Sequence, residues 1–402
     1  MTLPSLHGHG ILGTAGLQNV FQAISRAGGD ARIVGGAVRN ALLGEPVHDI
    51  DIATTLTPEQ LVGAARAAGL KTVATGIEHG TVTVISDGSS FEVTTLRHDV
   101  ETDGRKAKVA FTDDWAADAA RRDFTLNALY CSADGEVFDP VGGIADLHAR
   151  TVRFVGDPHR RIREDYLRIL RFFRFVSQYG RGEVDADGLA ACMLLQDGLK
   201  QLSRERIGQE TRKLLCGRRA GEVVKMMNEA GINRTLFGAD MDAALLASVI
   251  ALAGSQGITP DYTTLLAAAL PLGADEQSEL LRLPNVQARS LRDVQSALPP
   301  SPALRDSERK VVLYQTGTET WKQAVLLAWA RDADAGDKDW AGLYALPEQW
   351  EIPTFPVTGS DILAIGVEAG PRVGEALKAL EDWWVAGGFT ADRDELLARL
   401  TT

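Results

Sequence analysis

The 402-residue chain has little cysteine, few histidines and no long apolar run. Its three cysteines, Cys131, Cys192 and Cys216, are odd in number and widely spread. They exclude a disulfide scaffold and a four-cysteine zinc site, and they suit a reducing cytoplasm. All seven histidines precede residue 160. The rest of the chain therefore has no histidine-ligated metal site and no histidine acid/base centre. No apolar stretch approaches the ~18–20 residues of a membrane span, so no membrane partner is expected. The start, MTLPSLHGHGILGTAGLQNVF, lacks a basic segment and an unbroken apolar stretch. No signal peptide is read there, and a cytoplasmic location is expected. What remains is 45% hydrophobic and 24% charged, without low-complexity blocks. At roughly 100–200 residues per domain, that composition predicts two to four domains with real cores.

The formal net charge is −12, which argues against a nonspecific nucleic-acid coat protein. The charge is uneven. Residues 150–219 hold 16 basic and 9 acidic side chains, a local +7 that leaves −19 for the remainder. A basic waist on an acidic molecule suits gripping one RNA in one place, and equally suits Arg-rich helices with solvated faces.

The first 150 residues mix short strands with helices. DARIVGG reads as a strand entering a glycine turn, and AVRNALLGE as a helix ended by Gly44. HDIDIATT alternates as a half-buried strand would. GTVTVISDG and SSFEVTTLR read as a hairpin joined by an Asp-Gly-Ser-Ser turn, and the polar stretch RHDVETDGRKAKVAFTDDWAADAA as a long mobile loop. From about Arg150 the period becomes helical. EDYLRILRFFRFVSQYG carries Leu167, Leu170, Phe173 and Val176 on one face and Asp165, Arg168 and Arg171 along one flank.

One run carries chemistry: IVGGAVRNALLGEPVHDIDIATT. A strand ends at Gly35-Gly36, a helix follows, and Asp49 and Asp51 come next on a strand. Residues i and i+2 of a strand share a face roughly 7 Å apart. Two such carboxylates opposite a glycine turn, with Arg39 between, suit divalent metals on a nucleoside triphosphate. Glu92, between Phe91 and Val93, faces away from the core as a candidate third acid that assists deprotonation of a hydroxyl. The bland alternatives are a plain turn and solvated acids.

GGAVRNALLG, DID, EVTTLR, RRDFTLNALY, FDPVGGIADL and EDYLRILRFFRF occur in this order over residues 31–215. Together they resemble the class II tRNA nucleotidyltransferases and bacterial poly(A) polymerases. Asn40 departs from that pattern, which usually has Asp. The resemblance implies an α+β fold: an N-terminal polymerase β-like nucleotidyltransferase head with a mixed β-sheet, then an all-helical neck, body and tail. The expected divisions are residues 1–148 for the catalytic head, 149–217 for the neck that recognises the base, and 218–402 for a tRNA-binding body and tail.

By the same resemblance, Gly35, Gly36 and Arg39 would hold the triphosphate, and Asp49 and Asp51 would bind two Mg²⁺. Arg122 and Asp123 would meet the ribose and phosphates of the nucleotide, with Asn127 supporting them. On a helix starting at Glu164, Asp165 and Arg168 would read the base while Glu164 steadies the arginine. Arg171 and Arg174 would be nearby nucleotide contacts. The implied activity is template-independent addition or repair of the 3′-terminal CCA of tRNA from CTP and ATP, with release of pyrophosphate. The implied partner is the 3′ end and acceptor arm of tRNA, met by a monomer.

The alternatives are a poly(A) polymerase, a partial CC- or A-adding enzyme, and a catalytically silent RNA-binding protein. ATGIEHGTVTV and the segment with Arg97, Asp99 and Asp103-Gly104-Arg105 resemble the CCA-adding branch, and the Gly-Arg-Arg-Phe element of the poly(A) branch is missing. A histidine-dependent C-terminal phosphohydrolase domain is excluded. Most of the late tryptophans read as core. The helix start at Thr358-Gly359-Ser360 has N–H groups able to hold a phosphate and is expected to contact the tRNA elbow.

Overall fold

The computed structural model describes residues 4–77, 80–103, 106–298, 300–332 and 337–400. It divides into two compact units, Met1–Asp240 and Met241–Thr402. The divisions expected near residues 148 and 217 fall inside the first of these.

The first unit opens with α1 (Ala15–Arg26), whose Leu17, Val20, Phe21 and Ile24 are buried at helical spacing. Strand β1 (Ala31–Val34) runs into Gly35, whose φ of +70° suits glycine and starts α2 (Gly36–Leu43). Gly44, also left-handed, closes that helix as expected. β2 (Asp51–Thr54), α3 (Pro58–Ala67), β3 (Lys71–Gly76), β4 (Thr81–Ser86) and β5 (Ser89–Thr95) follow. The hairpin read from the sequence is β4–β5. Asp87 and Gly88 both have positive φ, the twist a two-residue hairpin turn requires.

Short strands β8 (Tyr130–Cys131) and β9 (Val137–Phe138) complete a mixed seven-stranded sheet, ordered β3-β4-β5-β2-β1-β8-β9. In it β2 and β5 are parallel neighbours, while the other pairings are antiparallel. β2 departs from the alternation expected of it. Beyond exposed Asp51, Ile52, Ala53 and Thr54 are all buried, because a central strand is covered on both faces.

The polar stretch after Leu96 is a β-ribbon, where the sequence suggested a loop. Strands β6 (Arg97–Asp103) and β7 (Lys106–Phe111) pair antiparallel, and α4 (Trp115–Ala120) follows under an Asp114 cap. Pairing between two arms satisfies the backbone without any apolar signature, so hydropathy gave no sign of it. Gly104 and Arg105 lie outside the described residues, as do Glu78 and His79.

Helices α5 (Gly143–Ala149), α6 (Pro158–Glu164), α7 (Leu167–Tyr179), α8 (Ala186–Leu195), α9 (Arg204–Leu215), α10 (Ala220–Glu229) and α11 (Ile232–Phe237) finish the unit. The helix expected from Glu164 begins instead at Leu167. Asp165 is extended (φ −158°, ψ 108°), and its Oδ1 accepts the N–H of Leu167 at 3.1 Å. An aspartate that caps its own downstream turn favours a break over a continuous helix. α7 is apolar on more than the expected face, since Ile169 and Phe172 are buried with Leu170, Phe173 and Val176. Phe154 stacks on Phe172 (5.5 Å between centroids) and Phe124 tilts against Phe154 (4.9 Å), fastening the segment around residue 124 to α7.

The second unit is helical among the described residues, from α12 (Ala243–Gln256) to α21 (Arg393–Ala398). Trp321, Trp329, Trp340 and Trp384 are buried, as expected of core tryptophans, while Trp383 is 37% exposed with the Arg399 guanidinium 4.2 Å above its ring. At the helix start where a phosphate was expected, the Thr358 N–H is already taken by a carboxylate of the chain. The helix Gly359–Ala364 is capped by Thr358 and Asp361, and Arg393 holds the Asp361 carboxylate there. The charge of that carboxylate sits at the helix N-terminus and disfavours a second anion there.

Candidate active site

Parallel pairing sets Asp51 of β2 directly beside Glu92 of β5. Residues sharing a face of neighbouring strands bring their side chains together, so the two carboxylates are adjacent by register. Asp49 lies two residues before β2, in the irregular segment that leads into it rather than on the strand. Although the Asp51 side chain reaches solvent, partial desolvation by the protein around it and the charges of Glu92 and Asp49 push its carboxyl above the ordinary range, while Arg122 pulls the other way. The three candidate acids and Arg122 therefore feel one another. Among the described residues, no three His, Cys, Asp or Glu side chains close into a ready-made metal cage.

Gly35 brings the start of α2 to the same place. A Cβ built on it would sit 3.8 Å from Nη1 of Arg122 and 3.5 Å from the carbonyl oxygen of Asn127. Arg122 is held along one edge, its Nη2 and Nε donating to Asp118 Oδ2 (2.8 and 3.2 Å) and its Nε also to Tyr130 Oη (3.1 Å).

Arg39, expected at the phosphates, faces inward and is 6% exposed. Its Nε and Nη2 donate to Asn40 Oδ1 (3.0 and 2.9 Å), Nη2 also to Tyr179 Oη (2.8 Å), and Nη1 to Asn127 Oδ1. Four of its five N–H bonds are thereby engaged within the protein. Burial pushes its pKa below the usual value, and the Tyr179 ring stacks 4.1 Å from the guanidinium. Asn40 is thus a working acceptor for Arg39, and its Nδ2 donates to the Pro46 carbonyl at 2.8 Å.

From Asn127 the network continues into the neck. Asn127 Nδ2 donates to Asp123 Oδ1 (3.2 Å), and Asp123 Oδ2 accepts both Nε (2.7 Å) and Nη2 of Arg171. Burial favours the neutral acid, but Arg171, Asn127 and the Phe124 N–H outweigh it and hold the Asp123 carboxyl at about 2. Arg174 Nε lies 2.7 Å from Glu210 Oε2 without hydrogen-bond geometry, and burial pushes its pKa down to about 10.

Glu164, Asp165 and Arg168 sit at the α6–α7 break. Glu164 Oε2 accepts Arg168 Nη1 (2.6 Å) while its Oε1 meets Arg161. Arg168 Nη2 reaches the carbonyl of Arg121 at 3.3 Å, which sets it against the RRDF run of the head. Asp165 Oδ2 accepts Arg206 Nη2 at 2.7 Å.

The chain's relatives share this architecture. Residues 31–153 match the model described as the poly A polymerase head domain, and residues 183–244 match one described as a probable RNA and SrmB-binding site of polymerase A. The chain is 35% identical over 400 residues to the mouse (Mus musculus) mitochondrial CCA tRNA nucleotidyltransferase 1, covering 96% of this chain and 89% of the relative. It is 33% identical to the CCA-adding enzyme of Levilactobacillus brevis, covering 95% and 96% respectively. The Bacillus stearothermophilus CCA-adding enzyme, solved in complex with CTP, superposes with a TM-score of 0.79 at 30% identity, covering 96% of each chain.

The chain belongs to the CCA-adding tRNA nucleotidyltransferase family. It is accordingly an enzyme of the nucleotidyltransferase class. Within this member of the CCA-adding family, sequence reasoning passed over Asp118, Tyr130, Tyr179, Arg206 and Glu210, which orient the residues it did select. Asp118 lies four residues before Arg122, a helical ion-pair spacing that signals the contact. Tyr179, Arg206 and Glu210 approach only through tertiary packing and leave no local signal.

Proposed function

We propose that the protein adds or repairs the 3′-terminal CCA of tRNA from CTP and ATP, without a template, releasing pyrophosphate. The observation that carries this reading is the register pairing of Asp51 with Glu92, within the field of Asp49 and Arg122 and beside the Gly35 turn. A family resemblance supplies the substrates; the site supplies the chemistry.

The donor set fits a hard divalent cation. It is all carboxylate oxygen, and the like charges that raise Asp51 are relieved by a cation between them. Mg²⁺ is commonly bound by one or two carboxylates plus substrate phosphates, so a closed protein cage is not required. Asp49 and Asp51 would hold Mg²⁺, which when bound lowers the pKa of the attacking hydroxyl and neutralises the leaving pyrophosphate.

The residues of the chain do the rest. The Gly35 turn and Arg122 Nη1 receive the triphosphate. The RNA 3′-oxygen attacks the α-phosphorus, the new P–O bond forms, and the bond to pyrophosphate breaks; Glu92 stands beside Asp51 to draw off the hydroxyl proton. Asp165 offers an acceptor and Arg168 offers donors to the base edge, each braced by a partner of opposite charge. The choice of base thus falls to side chains held before the nucleotide arrives.

The test is incubation with tRNA lacking its 3′ end, Mg²⁺ and labelled CTP or ATP. Completed CCA termini are expected. Homopolymeric A tails on arbitrary RNA would indicate a poly(A) polymerase, and no incorporation would leave an RNA-binding protein.

A further inference from the structure

Asp118 is 1% exposed and accepts bonds from four neighbours at once, one of them the backbone N–H of Arg97, which donates to Oδ1 at 3.4 Å. Oδ1 takes Nε and Nη2 of Arg121 at 2.9 and 2.7 Å. Oδ2 takes Nη2 and Nε of Arg122 at 2.8 and 3.2 Å and the Tyr130 hydroxyl at 2.7 Å. Tyr130 Oη in turn accepts Nε of Arg122. This grip covers the Nε–Nη2 edge of Arg122. Its Nη1, engaged by no hydrogen bond among the described residues, lies beside the Gly35 turn. Arg39 has only one N–H bond left for a ligand, so Arg122 has the larger free donor capacity there.

We propose that Asp118 is a positioning residue: it grips one edge of Arg122 so that Nη1 points at the triphosphate beside Gly35. This rests on the nucleotidyltransferase reading of that turn. Two opposite effects of Asp118 can be separated. As a mere nearby anion it would repel phosphates, and its neutralisation would tighten their binding. As a grip it orders the donor, and its neutralisation would loosen their binding. Because the contact is to phosphate, the loosening should not depend on the base.

The experiment is calorimetric titration of wild type and Asp118→Asn with CTP, ATP and inorganic tripolyphosphate in Mg²⁺. All three are expected to weaken by a common factor of about 10, the scale of one charge-assisted hydrogen bond. KM for CTP and ATP should rise together, with tRNA affinity unchanged. Arg122→Ala should weaken the same three probes, and adding Asp118→Asn to it should cost no more than about 2-fold further, since contacting residues are not additive. Unchanged or tighter tripolyphosphate binding, or full additivity with Arg122→Ala, would overturn the proposal even if the variant melts at a lower temperature. If Asp118→Asn does not fold, Tyr130→Phe removes the hydroxyl bridging the pair; weaker binding of all three probes supports the grip, and unchanged binding overturns it. A wild-type protein that binds none of the probes overturns the functional reading as well, whereas an active wild type with an unaffected variant overturns the positioning role alone.

Discussion

Replacing Asp123 by Asn tests whether the head and the neck are joined by a charge that must stay ionised. The carboxylate accepts the Phe124 N–H and Asn127 Nδ2 on Oδ1, and both Nε and Nη2 of Arg171 on Oδ2. All four partners are donors. An asparagine presents one acceptor and one donor, so either orientation of its amide sets N–H against N–H, at Arg171 or at Asn127. The side chain is only 10% exposed, and its pKa is held at about 2 against an ordinary 3.8, which corresponds to about 2 kcal/mol favouring the ionised folded state. Arg171 keeps a distant second partner in Glu210 at 3.9 Å and is 31% exposed, so the loss stays below that of a fully buried pair. The expected cost is about 2–3 kcal/mol, or a melting point lower by about 5–10 °C for a unit of this size.

Because the folded pKa is depressed, this stability is fully present above the unfolded value near 3.8 and is lost as pH falls through about 2. Urea unfolding of both proteins between pH 7 and pH 3 measures it. The gap should be constant from pH 7 to about pH 5 and begin to close below about pH 4. A gap under about 0.5 kcal/mol at pH 7, or one that does not narrow in acid, would refute the reasoning.

Asp49→Ala and Asp51→Ala should abolish nucleotide addition while leaving tRNA binding nearly intact, measured by incorporation and by filter binding; binding lost in step with activity counts against their assignment. Asp51→Asn should in addition raise the melting point slightly near pH 7, because partial desolvation and two neighbouring acids raise the folded pKa of this solvent-reaching carboxyl. That sign means the native carboxyl is at no disadvantage below its unfolded pKa and loses stability as pH rises through the folded one, so the gain should vanish in acid. Arg168→Ala should blur the choice between CTP and ATP more than it destabilises the fold, since Glu164 retains Arg161; a large drop in melting point with selectivity intact would contradict it. Gly143→Ala should destabilise by about 1–3 kcal/mol, because its Cβ would lie 2.1 Å from the Thr125 carbonyl oxygen; an unchanged melting point would show that the turn yields.

Much of this protein was legible in the order of its residues. Gly35 needs a positive φ and Gly44 a left-handed cap, both local requirements that a glycine announces. Alternation around Phe91 and Val93 turned Glu92 outward, and the hairpin was legible, although its turn is the two residues Asp87-Gly88 and the two serines expected in it pair within the ladder. The ribbon from Arg97 to Phe111 was not legible, because backbone pairing asks little of polar side chains. The break at Asp165 was hidden inside a run with helical period, since a cap competes with the helix at a single residue. Local patterning thus determined which acids and glycines are available and which way their strands turn them. Only tertiary structure decided that Asp51 meets Glu92 across a parallel pair, that Arg39 turns inward to Tyr179 140 residues away, and that Asp123 reaches Arg171. Those contacts join residues distant along the chain, and their partners are chosen by packing and by the need to compensate buried charge, neither of which is written in any one window of the sequence.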